Sequence, residues 1–339
     1  MVGVLGAIVS FFVFGGARGL RSSGPTTQPI DAVPKDTFLV ATIDVTALRR
    51  SSLFQSIFGT DDFAKDSELT IAKGLGLGGL ADACGFDPLE RVRNLAVAVP
   101  EEGDHGEFGV IAHVDVTPSE LETCARALQK QAGGSIRRKI DHFTVLEDPA
   151  HREIAYGEGG LLIVGKGAWF DAMLSTAEHR TPNVEDAREH AALRRAMADE
   201  SGSRTPIIVV TALLPRKMRD RLKSEMASEE SGSDSSAAIM SGVLGVSAVG
   251  LALRAGEAGQ NIEARAELVC DGAGACAAVK KLLEQKKLDW SRDLGLRAAG
   301  FGSLVDSLEI EGNEAHLRAT TSVNASTLSG AIDRTIRWR

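Results

Sequence analysis

The same order of strands and helices recurs in the two halves of the chain, and this repetition limits the folds open to it. Residues 37–45 and 207–213 are rich in β-branched residues and are predicted to be strands. The first passes directly into a segment whose apolar residues have helical spacing, and the second is followed by a predicted helix at 216–226. In each half a pair of strands then leads into a further helix, predicted to start at Thr117 and at Ala273. The repeated unit is therefore strand, helix, strand, strand, helix, strand, strand, helix.

Short polar turns join the paired strands, and such hairpins imply antiparallel pairing. Helices placed between hairpins are expected to cover one face of a sheet. The predicted fold is α+β, with two related halves, each an antiparallel sheet covered by helices on one face; a single irregular domain is the alternative. The expected divisions are 1–21 for a signal peptide or membrane anchor, 22–36 for a linker, 37–180 for the first half, 181–205 for a connector and 206–339 for the second half.

Two local patterns make specific predictions about elements. Thr117-Pro118-Ser119-Glu120 combines an N-cap threonine, a proline at the first helical position and a glutamate three residues on, which predicts a helix start. Near the C-terminus, residues 304–310 and 315–322 are predicted to form a last hairpin, followed by a closing helix at 325–336.

The N-terminus is apolar and free of charge. Residues 2–14 are almost wholly apolar, and the first charged residue is Arg18. Seventeen helical residues span about 25 Å, which is marginal against a hydrocarbon core of about 30 Å. A cleaved signal peptide, a short anchor and a buried helix are the three alternatives, and we expect export. The positive charges after the run favour the opposite orientation in the membrane, which a start codon placed too far downstream would explain.

The four cysteines, Cys84, Cys124, Cys270 and Cys276, are an even number, as in many exported proteins with disulfides. Within one helix, Cys270 and Cys276 would lie about 9 Å apart, too far for a bond. They can pair only if Cys270 ends a strand and Cys276 lies in the first turns of the next helix, with Asp271 as the N-cap candidate. Cys84 and Cys124 form either a disulfide or two buried thiols. No spacing typical of zinc ligands occurs, so no metal is expected.

The composition argues against several classes of partner. A net charge of -8 does not suit a nucleic-acid surface, which needs a basic face. Aromatic residues make up only 5% of the chain, so stacking platforms for bases are not expected. The glycine-rich residues 74–79 follow a helical segment and lack dinucleotide-binding spacing, so no cofactor is predicted.

His113 and Asp115 are the candidate catalytic residues for a hydrolase. They lie two residues apart on a predicted strand and would share one face, where a carboxylate can orient an imidazole as a general base. The alternating residues Val110, Ala112, Val114 and Val116 are expected to form the core side of this strand. A solvated pair on the wetter face is the simpler interpretation, so no catalytic residue is assigned.

Three segments carry a resemblance to a known group of proteins. These are Val33-Pro34-Lys35-Asp36-Thr37, residues 43–54 (IDVTALRRSSLF) and residues 84–95 (CGFDPLERVRNL). They resemble exported bacterial proteins of unknown function, particularly from myxobacteria, with a Pro-x-Asp-Thr start and a Gly-Phe-Asp-Pro turn. The resemblance implies export and this kind of fold, and it carries no catalytic residues.

The sequence therefore predicts a non-enzymatic protein of the bacterial envelope with a binding or scaffolding role. We expect it in the periplasm, anchored to the inner membrane by the N-terminal segment or released after cleavage, with an envelope protein as partner. The alternatives are a periplasmic hydrolase using His113 and Asp115, and a module that binds a small molecule.

Overall fold

The computed structural model describes residues 25–52, 54, 85, 88–101, 108–132, 136–147, 152–157, 159–198, 205–229, 242, 244–255, 260–298, 300–313, 315–328 and 330. The predicted signal or anchor at 1–21, the glycine-rich residues 74–79 and Cys84 lie outside these ranges. None of the helices within the ranges is long and apolar enough to cross a membrane.

The described strands form one antiparallel sheet of twelve. They are β1 (Thr37–Asp44), β2 (Val92–Pro100), β3 (Gly109–Val114), β4 (Ile136–Ile140), β5 (Phe143–Glu147), β6 (Arg152–Gly157), β7 (Leu161–Lys166), β8 (Ile208–Leu213), β9 (Val246–Ala255), β10 (Asn261–Cys270), β11 (Glu309–Gly312) and β12 (His316–Asn324). The helices whose bounds lie within the described residues are α1 (Val45–Arg50), α2 (Pro88–Arg91), α3 (Pro118–Ala132), α4 (Gly167–Ala177), α5 (Arg188–Met197), α6 (Arg216–Glu229), α7 (Ala273–Arg292), α8 (Leu294–Ala298) and α9 (Gly302–Asp306). Two 3-10 turns lie at Pro29–Ala32 and Val184–Asp186.

The strand order across the sheet is β11-β12-β10-β9-β8-β1-β2-β3-β7-β6-β5-β4. The mixed α and β content and the antiparallel sheet are as predicted. The expectation of separate sheets is corrected, because β1 pairs with β8 in the middle, with Ala41 opposite Val210, and this pairing joins the two groups of strands into one sheet.

The pairing is continuous, so one row of directly opposite residues crosses all twelve strands. This central row is Arg138, Val145, Ala155, Ile163, Ile111, Ala96, Thr42, Val209, Ala252, Arg265, Thr320 and Glu309.

We call the face that carries the central row face A and the opposite one face B. On face A, the buried residues of β1 to β7 pack against α4 and the two 3-10 turns, with Phe143, Phe170 and Met173 fully buried. On face B, α7 packs on β10 and β12 through Val279, against Leu317. Helices therefore lie on both faces of the sheet, whereas the sequence analysis expected one face.

Local sequence signals explain several element ends. At the start of α3 the Glu120 carboxylate accepts from the Thr117 backbone N–H at 2.8 Å, and the Glu120 N–H donates to the Thr117 hydroxyl at 3.3 Å. This reciprocal pair is the predicted capping box. Asp44 caps α1 in a related way, since its carboxylate accepts from the Ala47 N–H at 2.7 Å.

The two segments expected as linker and connector contain residues that pack in the core. Ala32 and Val33, within 22–36, are fully buried, and Pro34 forms an isolated bridge with Asn183. Within 181–205, α5 packs on β8 and β9 through Leu193 and Met197. Both segments therefore help to position the middle of the sheet.

The end of the chain corrects one prediction. The predicted strand at 304–310 is instead the short helix α9 followed by β11, and its partner is confirmed as β12. Val305 of α9 is buried, and α9 contacts both α7 and β12. Packing against a long helix thus outweighs the strand-like sequence pattern. The edge strand β4 was not predicted.

Candidate functional site

A cleft of about 580 Å³ opens on face A at the middle of the sheet. Its floor is formed by β1, β2 and β8, where Thr42, Asn94 and Val209 line it. Its walls are α5 and the turn at Pro29–Ala32. The cleft therefore lies where three parts of the chain meet: the turn before β1, the central strands of the sheet, and helix α5, which connects the two groups of strands.

Arg194 is the most unusual residue of this cleft. Its Nη2 donates to the Thr42 hydroxyl at 3.2 Å, whereas its Nη1 is buried and has no hydrogen-bond partner among the residues that the structure describes. Burial lowers the pKa of Arg194, and the nearby Glu185 opposes this shift. An arginine stays charged in proteins, so the cleft holds a guanidinium whose hydrogen-bonding capacity is only partly used.

One turn before Arg194, His190 is fully buried and fixes α5 on the sheet. Its Nε2 lies 2.9 Å from the carbonyl oxygen of Thr37, and its Nδ1 lies 2.8 Å from the hydroxyl of Thr211. Because a carbonyl only accepts, Nε2 carries the proton and Nδ1 accepts from Thr211. Burial lowers the pKa of His190, with a smaller contribution from the charge of Arg194. The imidazole is therefore a neutral structural link that holds α5 in place.

The other charged groups of the cleft include both cations and anions. Arg195 lines it and donates from Nε to the Ala191 carbonyl oxygen at 3.1 Å, whereas the carboxylate of Asp44 is engaged as the cap of α1. Glu185 also lines the cleft. This arrangement can bind a group that carries a negative charge beside apolar surface, since carboxylates and phosphates suit a guanidinium.

The structure places the two predicted candidates, His113 and Asp115, beside this cleft and not in it. His113 is half-buried on β3, directly opposite the cleft residue Asn94. Asp115 is exposed beyond the end of β3 and pairs with Arg93 at 2.8 Å. The hydrogen bond and charge of Arg93 lower the pKa of Asp115, which makes the carboxylate a weaker base.

The strand that carries His113 also differs from expectation. Ala112 and Val114 are buried, as predicted for the core side, but Ile111 on the opposite face is fully buried too. The reason is that α4 and the turn at Pro29–Ala32 cover face A of β3. His113 therefore lies at the margin of a covered face.

The cysteines are placed largely as the sequence predicts. Cys270 is the last residue of β10, Cys276 lies in the first turns of α7, and they form a disulfide with a Cα–Cα distance of 5.6 Å. Asp271 is not the N-cap; that position is Gly272, and the Asp271 carboxylate instead accepts from Arg219. Cys124 is also disulfide-bonded, which excludes a free thiol there, and Cys84, its candidate partner, lies outside the described residues.

Sequence reasoning did not single out His190 or Arg194. The only signal available was the helical spacing of His190, Leu193 and Met197, which places a histidine on the apolar side of α5. Their partners lie far away in the sequence, since Thr42 is 152 residues from Arg194. No local pattern can reveal such a contact. No group of three or more metal-ligating side chains occurs in the parts of the chain that the structure covers.

Comparison with known proteins finds a weak structural similarity. The sequence matches no protein-family profile, and no curated protein matches it significantly. Two solved structures, crystal forms III and I of TP0453, resemble the chain with TM-scores of 0.48 and 0.44 and identities of 13% and 10%. Each alignment covers 91% of this chain, and 99% and 98% of the respective TP0453 chains.

Proposed function

We propose that this protein is an exported, non-enzymatic binding protein of the bacterial envelope, and that the central cleft receives an acidic segment of another envelope protein. The observation that carries the proposal is the Arg194 guanidinium, whose buried Nη1 has no acceptor in the part of the chain described here. A buried charged donor without an acceptor is costly. A carboxylate entering the cleft would supply the acceptor and recover this cost.

The location is supported by sequence and cysteine chemistry. Residues 2–14 are suited to direct export, and the segments around Val33 and Asp87 resemble exported bacterial proteins. Disulfides persist in oxidising compartments, and the pair Cys270 and Cys276 is consistent with the periplasm. The N-terminal segment would attach the protein to the inner membrane or be removed by cleavage.

His190 and Asp115 suit a binding role better than they suit hydrolysis. His190 uses both ring nitrogens in structural hydrogen bonds. Asp115 is held as an ion pair by Arg93 and does not line the cleft. A general base needs a free nitrogen or carboxylate within reach of the substrate, and neither residue offers one there.

We also infer that the two groups of strands are related halves. Around the antiparallel pair β1 and β8, β2 and β9 follow outward, and then β3 and β10, in the same chain order on each side. An antiparallel central pair is what a twofold relation between two copies of one unit produces. The cleft would then form at the junction of the duplicated halves.

Site-specific photo-crosslinking in cells tests this function. A photoreactive residue replaces Ala198, which is exposed and lines the cleft, or Gln285, which is exposed on α7 as a matched control. We expect an adduct with an envelope protein from position 198 only, lost with Arg194→Met and retained with Arg188→Met on the exposed side of α5. Equal adducts from both positions, an adduct insensitive to Arg194→Met, or native protein in the cytosol would refute the proposal.

A second candidate is a module that binds a small anionic molecule, because the cleft volume lies within the range of ligand pockets. Thermal unfolding with carboxylate- and phosphate-bearing metabolites distinguishes the two. A rise in the midpoint that Arg194→Met abolishes, without a protein adduct in cells, would favour the small molecule.

A further inference from the structure

The two outer strands of the sheet carry opposite charge. The edge strand β4 has the sequence IRRKI, and its three cations, Arg137, Arg138 and Lys139, are exposed. The other edge strand, β11, has the sequence EIEG, and both Glu309 and Glu311 are exposed. Each strand pairs on one side only among the described residues, so each presents a row of backbone groups that no described strand pairs.

Some of these charges are already engaged within the molecule. Arg137 pairs with Glu122 at 2.6 Å, and Arg138 pairs with the buried carboxylate of Glu153. Lys139 has no ion-pair partner in the described part of the chain, and neither do Glu309 and Glu311. The β4 edge therefore keeps an excess of positive charge, and the β11 edge keeps an excess of negative charge.

The direction of the strands also matches across the two edges. All neighbouring strands are antiparallel and twelve described strands form the sheet, so β4 and β11 run in opposite directions. A second copy placed in the same orientation beside the first would therefore add its β11 to β4 as an antiparallel pair. This is the pairing used everywhere else in the sheet.

The register of the strands would also bring opposite charges together. The central row begins with Arg138 on β4 and ends with Glu309 on β11, and both side chains lie on face A. If the row continues into a second copy, Arg138 of one copy comes to lie directly opposite Glu309 of the next. Opposite charges at such a position stabilise a strand pair, and like charges destabilise it.

We propose that copies of this chain associate edge to edge, with β11 of one copy added to β4 of the next, so that the sheet continues from copy to copy. Charged edges usually prevent association, and here like charges block β4 from β4 and β11 from β11. They leave only the head-to-tail pairing open. Such a heterologous contact gives a ring if the rotation between copies closes and a filament if it does not.

Sedimentation velocity on the protein as purified from cells gives the first test. We expect concentration-dependent association at low salt that weakens as salt is added. Glu309→Lys/Glu311→Lys makes both edges basic and should lower the association constant by about tenfold or more. Glu189→Lys also removes one exposed acidic charge, but on α5, away from both edges, and should leave association unchanged.

Zero-length crosslinking between amines and carboxylates gives the second test and identifies the strands. The Arg138→Lys variant keeps a charge beside Glu153 and places a reactive amine at the end of the central row. In a mixture of copies with light and heavy nitrogen, we expect mixed-isotope crosslinks between position 138 and Glu309 or Glu311. A wild-type monomer at high concentration and low salt, an edge variant that associates like wild type, or crosslinks that join other surfaces would each overturn the proposal.

Discussion

The imidazole Nε2 of His190 donates to the carbonyl oxygen of Thr37 over 2.9 Å, and this bond ties α5 to β1 across 153 residues of sequence. The second ring nitrogen accepts from Thr211 on β8. One neutral side chain therefore connects the helix that forms the cleft wall to both central strands of the floor.

The pH dependence of stability follows from this burial. The pKa of His190 is lowered in the folded protein, so the unfolded chain takes up the proton first as pH falls below about 6.5. We expect the free energy of unfolding contributed by His190 to decrease from that pH down to the folded pKa. His190→Gln should remove this component and cost about 1–3 kcal/mol at neutral pH through its unpaired partners. Urea unfolding across this pH range measures both effects. If the free energy of unfolding of the variant falls with pH as steeply as that of the wild type, the assignment is contradicted.

The disulfide between β10 and α7 should contribute measurably to stability. For a loop this short, the chain-entropy relation gives about 2 kcal/mol. We expect Cys270→Ser/Cys276→Ser to lower the free energy of unfolding by that amount under non-reducing conditions. Thiol labelling of the denatured, non-reduced wild type should leave both cysteines unmodified. Labelling of either one would show that the bond is absent.

Two glycines make a matched pair for backbone strain. Gly160 has φ +76°, and a Cβ there would lie 2.6 Å from the Val114 carbonyl oxygen. Gly274 lies in α7, and a Cβ there would meet nothing within 4 Å. We expect Gly160→Ala to cost about 1–3 kcal/mol, and Gly274→Ala to add up to about 1 kcal/mol. Thermal unfolding of the two variants checks the contrast. Shifts of both unfolding midpoints in the same direction would contradict it.

Arg93 should control the ionisation of Asp115. Its hydrogen bond and charge lower the pKa of that carboxyl, so Arg93→Gln should raise the pKa of Asp115 towards its ordinary value. Carbon-detected NMR titration of the carboxyl group measures the change. Arg126→Gln, at an exposed arginine that pairs with Glu122, is the control and should leave the titration of Asp115 where it is.

Much of the fold can be predicted because its signals are local. The capping box at Thr117 and Glu120 lies within four residues, and the Cys270 bond depends on one strand-to-helix junction. The edge strand β4 was not predicted because its three consecutive cations interrupt the alternation of apolar and polar residues that indicates a strand. Leu304 to Asp306 form a helix because α7 is there to pack against. The cleft at Arg194 depends on contacts between distant segments, which a single sequence does not record.

The pairing of β1 with β8 also governs the order in which this chain can mature. Thr42 and the Val209 carbonyl oxygen that its hydroxyl contacts are separated by 167 residues. As the polypeptide emerges from the N-terminal end, β1 can pair with β2 early but stays open on its other side until β8 arrives. During synthesis the first group of strands therefore exposes the unpaired edge of β1 until β8 has been made. A chaperone that covers this edge would reduce aggregation and raise the yield of native protein.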